Sequence, residues 1–176
     1  MADAKFNVLL YIGRSEHSFS AAVYAAKLLN HIPNIHITVV QVQDSVDGMM
    51  GSDYNSMDIW PVTPNTVWMK KILDEVDHET QKQYKEILAR TNEIFSENGL
   101  NVKHEILIAK NNIVDIAETI IDYAVKNSFK MVILGTRGFS DIKGLVFGSL
   151  AHTVLNRSPI PVLLIKKLPQ DFIDNL

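Results

Sequence analysis

Four residues in one short segment carry the clearest chemistry of this chain: Gly135, Gly138, Gly148 and Ser149. Gly135-Thr136-Arg137-Gly138 is followed by nine residues and then by Gly148-Ser149. Glycine lets a backbone come close to a ligand. A serine at a helix start sets a hydroxyl beside main-chain N–H groups that lack an intrahelical partner, and a phosphate is held in such a place. Glycines at both ends of one loop therefore suggest a loop wrapped around an anion, with its N–H groups as the cradle and the dipole of the next helix adding attraction. The competing reading is that these glycines only serve tight strand–helix connections; the spacing alone leaves both open. The loop is not a Walker A motif, because Lys143-Gly144 has the wrong order, and Gly13-Arg14-Ser15 lacks the further glycines of a dinucleotide fingerprint.

Other side chains are less decisive. Arg137 could contact a phosphate, cover a purine ring, or simply be a solvated loop residue. Val42, at the end of the second predicted strand, could present backbone groups to a base edge or be core. Asp141 and Lys143 read as solvent-exposed. His152 follows Ser149, yet no Gly-x-Ser-x-Gly elbow is present, and a catalytic triad is not supported. His17, His31, His36, His78 and His104 show no metal-ligand spacing, and His36 and His104 read as strand-end or solvent-face residues. Glu16, Asp44 and Asp47 form no paired acid/base pattern. No residue is assigned a catalytic or metal-binding role.

The elements that must position these residues follow from periodicity. Apolar, β-branched runs at Phe6–Ile12, Ile35–Gln43, Val102–Ala109, Met131–Leu134 and Pro161–Lys166 predict five strands. Helical spacing predicts helices from Ser15 to about His31, from Trp68 to about Asn98 with Gly99 beyond its end, from Asn112 onward, and from Ser149 to about Arg157. The 44–65 stretch has no sustained period; it reads as a long loop packing on the helix that follows, with a lid or partner surface as the alternative. Residues 168–176 read as a tail. Near-continuous apolar strands alternating with helices predict an α/β protein: a single domain over 1–176, a doubly wound five-stranded parallel sheet with helices on both faces. Ligands in such sheets bind at the carboxyl ends of the strands where the winding reverses. With strand one central and strand four beside it, Gly13 and Gly135 would meet at that crevice.

Composition narrows the function classes. The 176 residues are 47% apolar and 21% charged, with a net charge of −3 and no cysteine. Disulfides, Cys-zinc sites and Cys nucleophiles are excluded. Without clustered Lys and Arg, nucleic acid is not expected as the main partner. No signal peptide or membrane span is visible, so a cytoplasmic protein is expected.

Taken together, the segments resemble the universal stress protein family. Its signature (Gly, two residues, Gly, nine residues, Gly, then Ser or Thr) is matched without a gap by Gly135, Gly138, Gly148 and Ser149. The 131–138 segment looks like the family's fourth strand and turn, Ser158-Pro159-Ile160-Pro161-Val162-Leu163-Leu164-Ile165 like its last strand, and Ser15-Glu16-His17-Ser18 like its first strand-to-helix turn. The resemblance implies an adenine-nucleotide site of the ATP-binding branch at Ile12, Gly13, Val42, Gly135, Arg137, Gly138, Gly148, Ser149 and Leu150. It implies ATP as the cofactor, with or without Mg or Mn, and a homodimer through residues 161–166. There is one departure: Gly13 stands where the family usually carries an Asp able to hold a ribose hydroxyl, with Arg14 next. An ATP-binding stress-response regulator is the first expectation. A ligand-free stress protein acting through dimer and loop surfaces, and a slow ATPase, are the alternatives.

Overall fold

The computed structural model describes residues 5–13, 15–44, 93–94, 102–110, 112–137 and 148–175. All but Asp44 of the predicted long loop at 44–65 and nearly all of the predicted 68–98 helix lie outside the described residues, as do Arg14, Gly99, Gly138, Asp141 and Lys143.

The described elements run β1 (Phe6–Tyr11), α1 (Glu16–His31), β2 (Ile35–Asp44), β3 (Lys103–Ala109), α2 (Ile113–Lys126), β4 (Met131–Gly135), α3 (Ser149–Arg157), β5 (Val162–Ile165) and α4 (Gln170–Asp174). The five strands form one sheet in the order β3-β2-β1-β4-β5. All four pairings are parallel, from Phe6 opposite Ile35 to Gly135 opposite Ile165. The predicted strands hold to within a residue or two at each end. The last nine residues depart from expectation: within the predicted tail, Gln170–Asp174 is a short helix.

The sheet is covered on both faces because its central strands are apolar on both. Val8, Leu10, Ile37, Val39 and Ile133 join Ala21, Ala22, Ala25 and Ala26 of α1 in one core layer. Leu9, Val40, Val132 and Leu134 join Ala117, Ile120 and Ala124 of α2 and Ala151 and Val154 of α3 in the other. Each large side chain buried here contributes roughly 1.5–3 kcal/mol. The four alanines of α1 matter for the site, since side chains this small let the helix axis lie close to the strands.

Local signals set the helix starts. Ser15 caps α1, its hydroxyl accepting the Ser18 N–H, and Asn112 caps α2 by accepting the Asp115 N–H. Two non-glycine residues take the left-handed conformation, Asn34 before β2 (φ 66°) and Ser128 after α2 (φ 57°). Both sit at tight helix-to-strand connections; Ser128 directly follows the C-cap of α2, where such a residue ends a helix, while Asn34 turns the chain into β2 after α1 has ended at His31. An ion pair between Arg157 and Glu118 links α3 to α2. His36 is exposed as expected. His104, expected at a strand end or on a solvent face, is the second residue of β3 and half-buried, and burial pushes its imidazole pKa down to about 4.

Candidate nucleotide site

The crevice forms where the chain leaves β1 for α1 on one side and β4 for the opposite face on the other. Parallel neighbours that cross over in opposite directions must part at their carboxyl ends, and the gap they leave is open to a ligand. Gly13 and Gly135 both lie here, as the sequence predicts.

The two glycines serve different ends. A Cβ on Gly135 would lie 2.6 Å from the His17 carbonyl carbon and 2.7 Å from the Ser18 nitrogen. Glycine is therefore required at 135 because the first turn of α1 lies against it. This packing reason stands beside the expectation that glycine here lets the backbone approach a ligand. A Cβ on Gly13 would meet only the Tyr11 ring, at 3.5 Å or more, an ordinary contact. Among the described residues, nothing near a Cβ demands glycine at this position.

Hydroxyl groups from α1 then stitch the two sides together. Ser15 donates its Oγ hydrogen to the Arg137 carbonyl at 2.8 Å while accepting the Ser18 N–H at 3.1 Å. The Ser18 Oγ accepts the Gly13 N–H at 2.7 Å. Ser15 and Ser18 are both buried, so water does not compete for these bonds. Gly13 and the backbone of Arg137 are thus held on either side of one serine-rich turn.

Thr136 is the second junction. Its N–H donates to the Ile165 carbonyl at 2.9 Å, its own carbonyl accepts the Gly148 N–H at 2.8 Å, and its hydroxyl lies 2.8 Å from His17 Nδ1. The Gly148 bond brings the start of α3 back to the end of β4. The N-cap of α3 is Gly148, which has no side chain, in place of the predicted Ser149; Ser149 is the first helical residue, and it is exposed. Unlike α1 and α2, α3 has no side-chain cap, so the first-turn N–H groups of Ser149, Leu150 and Ala151 have no partner within the helix.

The structure brings Ile12, Gly13, Gly135, Arg137, Gly148, Ser149 and Leu150 to this end of the sheet. Ile12 and Leu150 turn their side chains toward the core, and Val42 packs against the layer under α2 and α3. What these three can offer a ligand is mainly backbone. Gly138 lies outside the described residues. Sequence reasoning missed Ser18, Ser20, Thr136 and His17. The available signal was three serines, Ser15, Ser18 and Ser20, on the buried side of an alanine-rich helix, since buried hydroxyls need partners. Among the described residues no three His, Asp or Glu side chains come together to hold a metal ion, and no helix is long and apolar enough to cross a membrane. A surface hollow of about 350 Å³ lined by Tyr24, Lys27, Leu28, His31 and Asn175 lies along the far half of α1, away from the crevice.

An open five-stranded parallel sheet covered by helices on both faces, with a crevice at its switch point, defines an α/β class of protein. Within that class the chain belongs to the universal stress protein family, whose sequence profile matches residues 6–166. Universal stress protein YxiE of Bacillus subtilis (strain 168) is 30% identical over 94 residues, 53% of this chain. The matched part spans 60% of that relative's length. Among solved structures, a universal stress protein from Archaeoglobus fulgidus superposes with a TM-score of 0.54 at 18% identity, covering 92% of this chain and 93% of that one. A universal stress protein solved in complex with cAMP superposes with a TM-score of 0.51 at 16% identity, covering 94% of this chain and all of that one (100%). These structural likenesses show a shared fold.

Proposed function

We propose that this protein binds an adenine nucleotide, ATP in the first instance, in the crevice between β1 and β4, and that it works as a homodimeric stress-response regulator whose bound nucleotide biases its conformation or its choice of partner. The observation that carries the reading is the uncapped start of α3, brought to the end of β4 by the Gly148–Thr136 bond. Helix N-termini left open in this way attract phosphate through free N–H groups and the helix dipole. In this reading the amides of Ser149 and Leu150 and the Ser149 hydroxyl hold phosphate. Arg137 and Gly138 border the phosphates, Gly135 sets the path of the backbone, and Ile12, Gly13 and Val42 offer main chain to ribose and adenine. The relative solved with cAMP supports an adenine nucleotide as the ligand class.

Gly13 favours the alternative of a ligand-free stress protein, because the missing carboxylate would have held a ribose hydroxyl. The same position provides the test. Isothermal titration of the wild type with ATP and with cAMP should show binding, and Gly13→Asp should raise the affinity roughly fivefold, the worth of one added hydrogen bond of about 1 kcal/mol. No heat with any adenine nucleotide, in wild type or variant, would establish the ligand-free reading instead.

A further inference from the structure

We infer that His17 is a positioning residue, which fastens the exits of β4 and β5 to the first turn of α1 and thereby sets the start of α3 against the β1–α1 turn. The inference deepens the nucleotide reading and, for its effect on phosphate, rests on it.

His17 Nδ1 lies 3.0 Å from the Lys167 amide nitrogen and 2.8 Å from Thr136 Oγ1. A backbone N–H can only donate, so Nδ1 must carry its lone pair toward it, and the ring proton sits on Nε2. Thr136 then has to donate its hydroxyl hydrogen to the same nitrogen. The Thr136 side chain is buried, 7% exposed, and its hydroxyl has little recourse to water. With its N–H on Ile165, its carbonyl on Gly148 and its hydroxyl on His17, every polar group of Thr136 is committed. The next amide along from Lys167, that of Leu168, donates to Ser20 Oγ at 2.9 Å, so the chain leaving β5 is fixed to α1 at two successive residues.

The path from His17 to the phosphate-holding amides is short. His17 orients Thr136, the Thr136 carbonyl holds Gly148 N–H, and Gly148 begins α3. The lack of a side chain at Gly135 lets the first turn of α1 lie close enough for His17 to reach both strand exits. Two donors, the buried Thr136 hydroxyl and the exposed Lys167 amide, converge on one acceptor, so removing it leaves the Thr136 hydroxyl without its partner while Lys167 can turn to water. The expected result is a loosened Thr136–Gly148 junction, with the sheet itself intact.

Three measurements on the full chain test this. In wild type, long-range proton–nitrogen spectra should show the His17 ring with its hydrogen on Nε2; a hydrogen on Nδ1 would overturn the inference. In nucleotide-free protein, the Gly148 amide should exchange roughly tenfold faster in His17→Leu, and His17→Asn, whose Oδ1 stands where Nδ1 stood, should restore its protection. Unchanged Gly148 protection in His17→Leu would overturn the inference, whatever the protein does with nucleotide. In titrations, His17→Leu should lose roughly tenfold in affinity for ATP with adenosine affinity within about twofold, and His17→Asn should recover ATP binding. Equal losses for ATP and adenosine would mark a general structural defect and overturn the positioning role. A wild type that binds no nucleotide yet shows the Gly148 response would sink the nucleotide reading while upholding the His17 anchor.

Discussion

Single residues at the crevice divide by what touches them. Gly135 lies under the backbone of His17 and Ser18, while the atoms nearest a Cβ on Gly13 belong to the Tyr11 side chain at ordinary contact distance. The two glycines should therefore respond differently to the same small substitution. Gly135→Ala forces the first turn of α1 away from β4 and should cost about 1–3 kcal/mol. Gly13→Ala should stay within about 0.5 kcal/mol of wild type, as a substitution outside any packed contact does. Urea denaturation of the two variants checks this, and equal costs would mean that α1 does not lie against β4 as described. Both glycines are visible in the sequence as strand ends. What separates them is a contact between residues more than a hundred positions apart, which no local pattern encodes. The same holds for Ser15 with Arg137 and His17 with Thr136, separated by 122 and 119 positions.

At the scale of elements, hydrophobic periodicity made the described fold readable, because the central strands β1 and β4 bury side chains on both faces and α1 and α2 each pack an apolar stripe. The strand order places β1 and β4 side by side as the crevice argument requires. Periodicity failed where an element is too short or its role rests on one partner. Helix α4 spans five residues, barely more than one turn, and is held on α1 through Ile173 against Phe19 and Val23. The α3 cap escaped notice because Gly148 caps without a side chain. His104 in β3 is a further case, since alternation alone does not tell that its ring is half-buried. Burial holds its imidazole at about 4, against an ordinary 6.5. Above pH 6.5 the ring is neutral whether the chain is folded or not, and its full contribution to stability is present. Between pH 6.5 and 4 the unfolded chain takes up a proton that the folded chain refuses, so stability falls; below 4 the loss levels off. Denaturation midpoints of wild type and His104→Gln, compared across this range, should converge as the pH is lowered through it relative to their separation at pH 7.5. A constant separation would mean that His104 titrates alike in both states.

The whole molecule has a sheet with two unlike edges. β3 carries Lys103, bonded to Glu105 at 2.8 Å, on its rim. The Glu105 carboxylate raises the Lys103 pKa, which keeps a positive charge on this edge at all ordinary pH. Charges of this kind discourage another strand from pairing. β5 reads Val162-Leu163-Leu164-Ile165, with no charge in the strand and its first three side chains only half-buried. The Pro161 and Ile165 carbonyls accept N–H groups from Val132 and Thr136, so in a parallel ladder the peptide groups at 162 and 164 face away from β4. An apolar edge whose outward peptide groups meet no further strand among the described residues would suit a second copy of itself about a two-fold axis, the homodimer of the proposed function. It also ends two residues before the Lys167 amide that His17 holds, so pairing at this edge and order at the crevice share a piece of backbone. Sedimentation equilibrium should show a dimer. Leu164→Glu, which sets like charges near each other across the axis, should weaken it at least tenfold, about 1.4 kcal/mol. If the variant stays as dimeric as wild type at the same concentration, the copies meet elsewhere and β5 is covered by something other than its own kind.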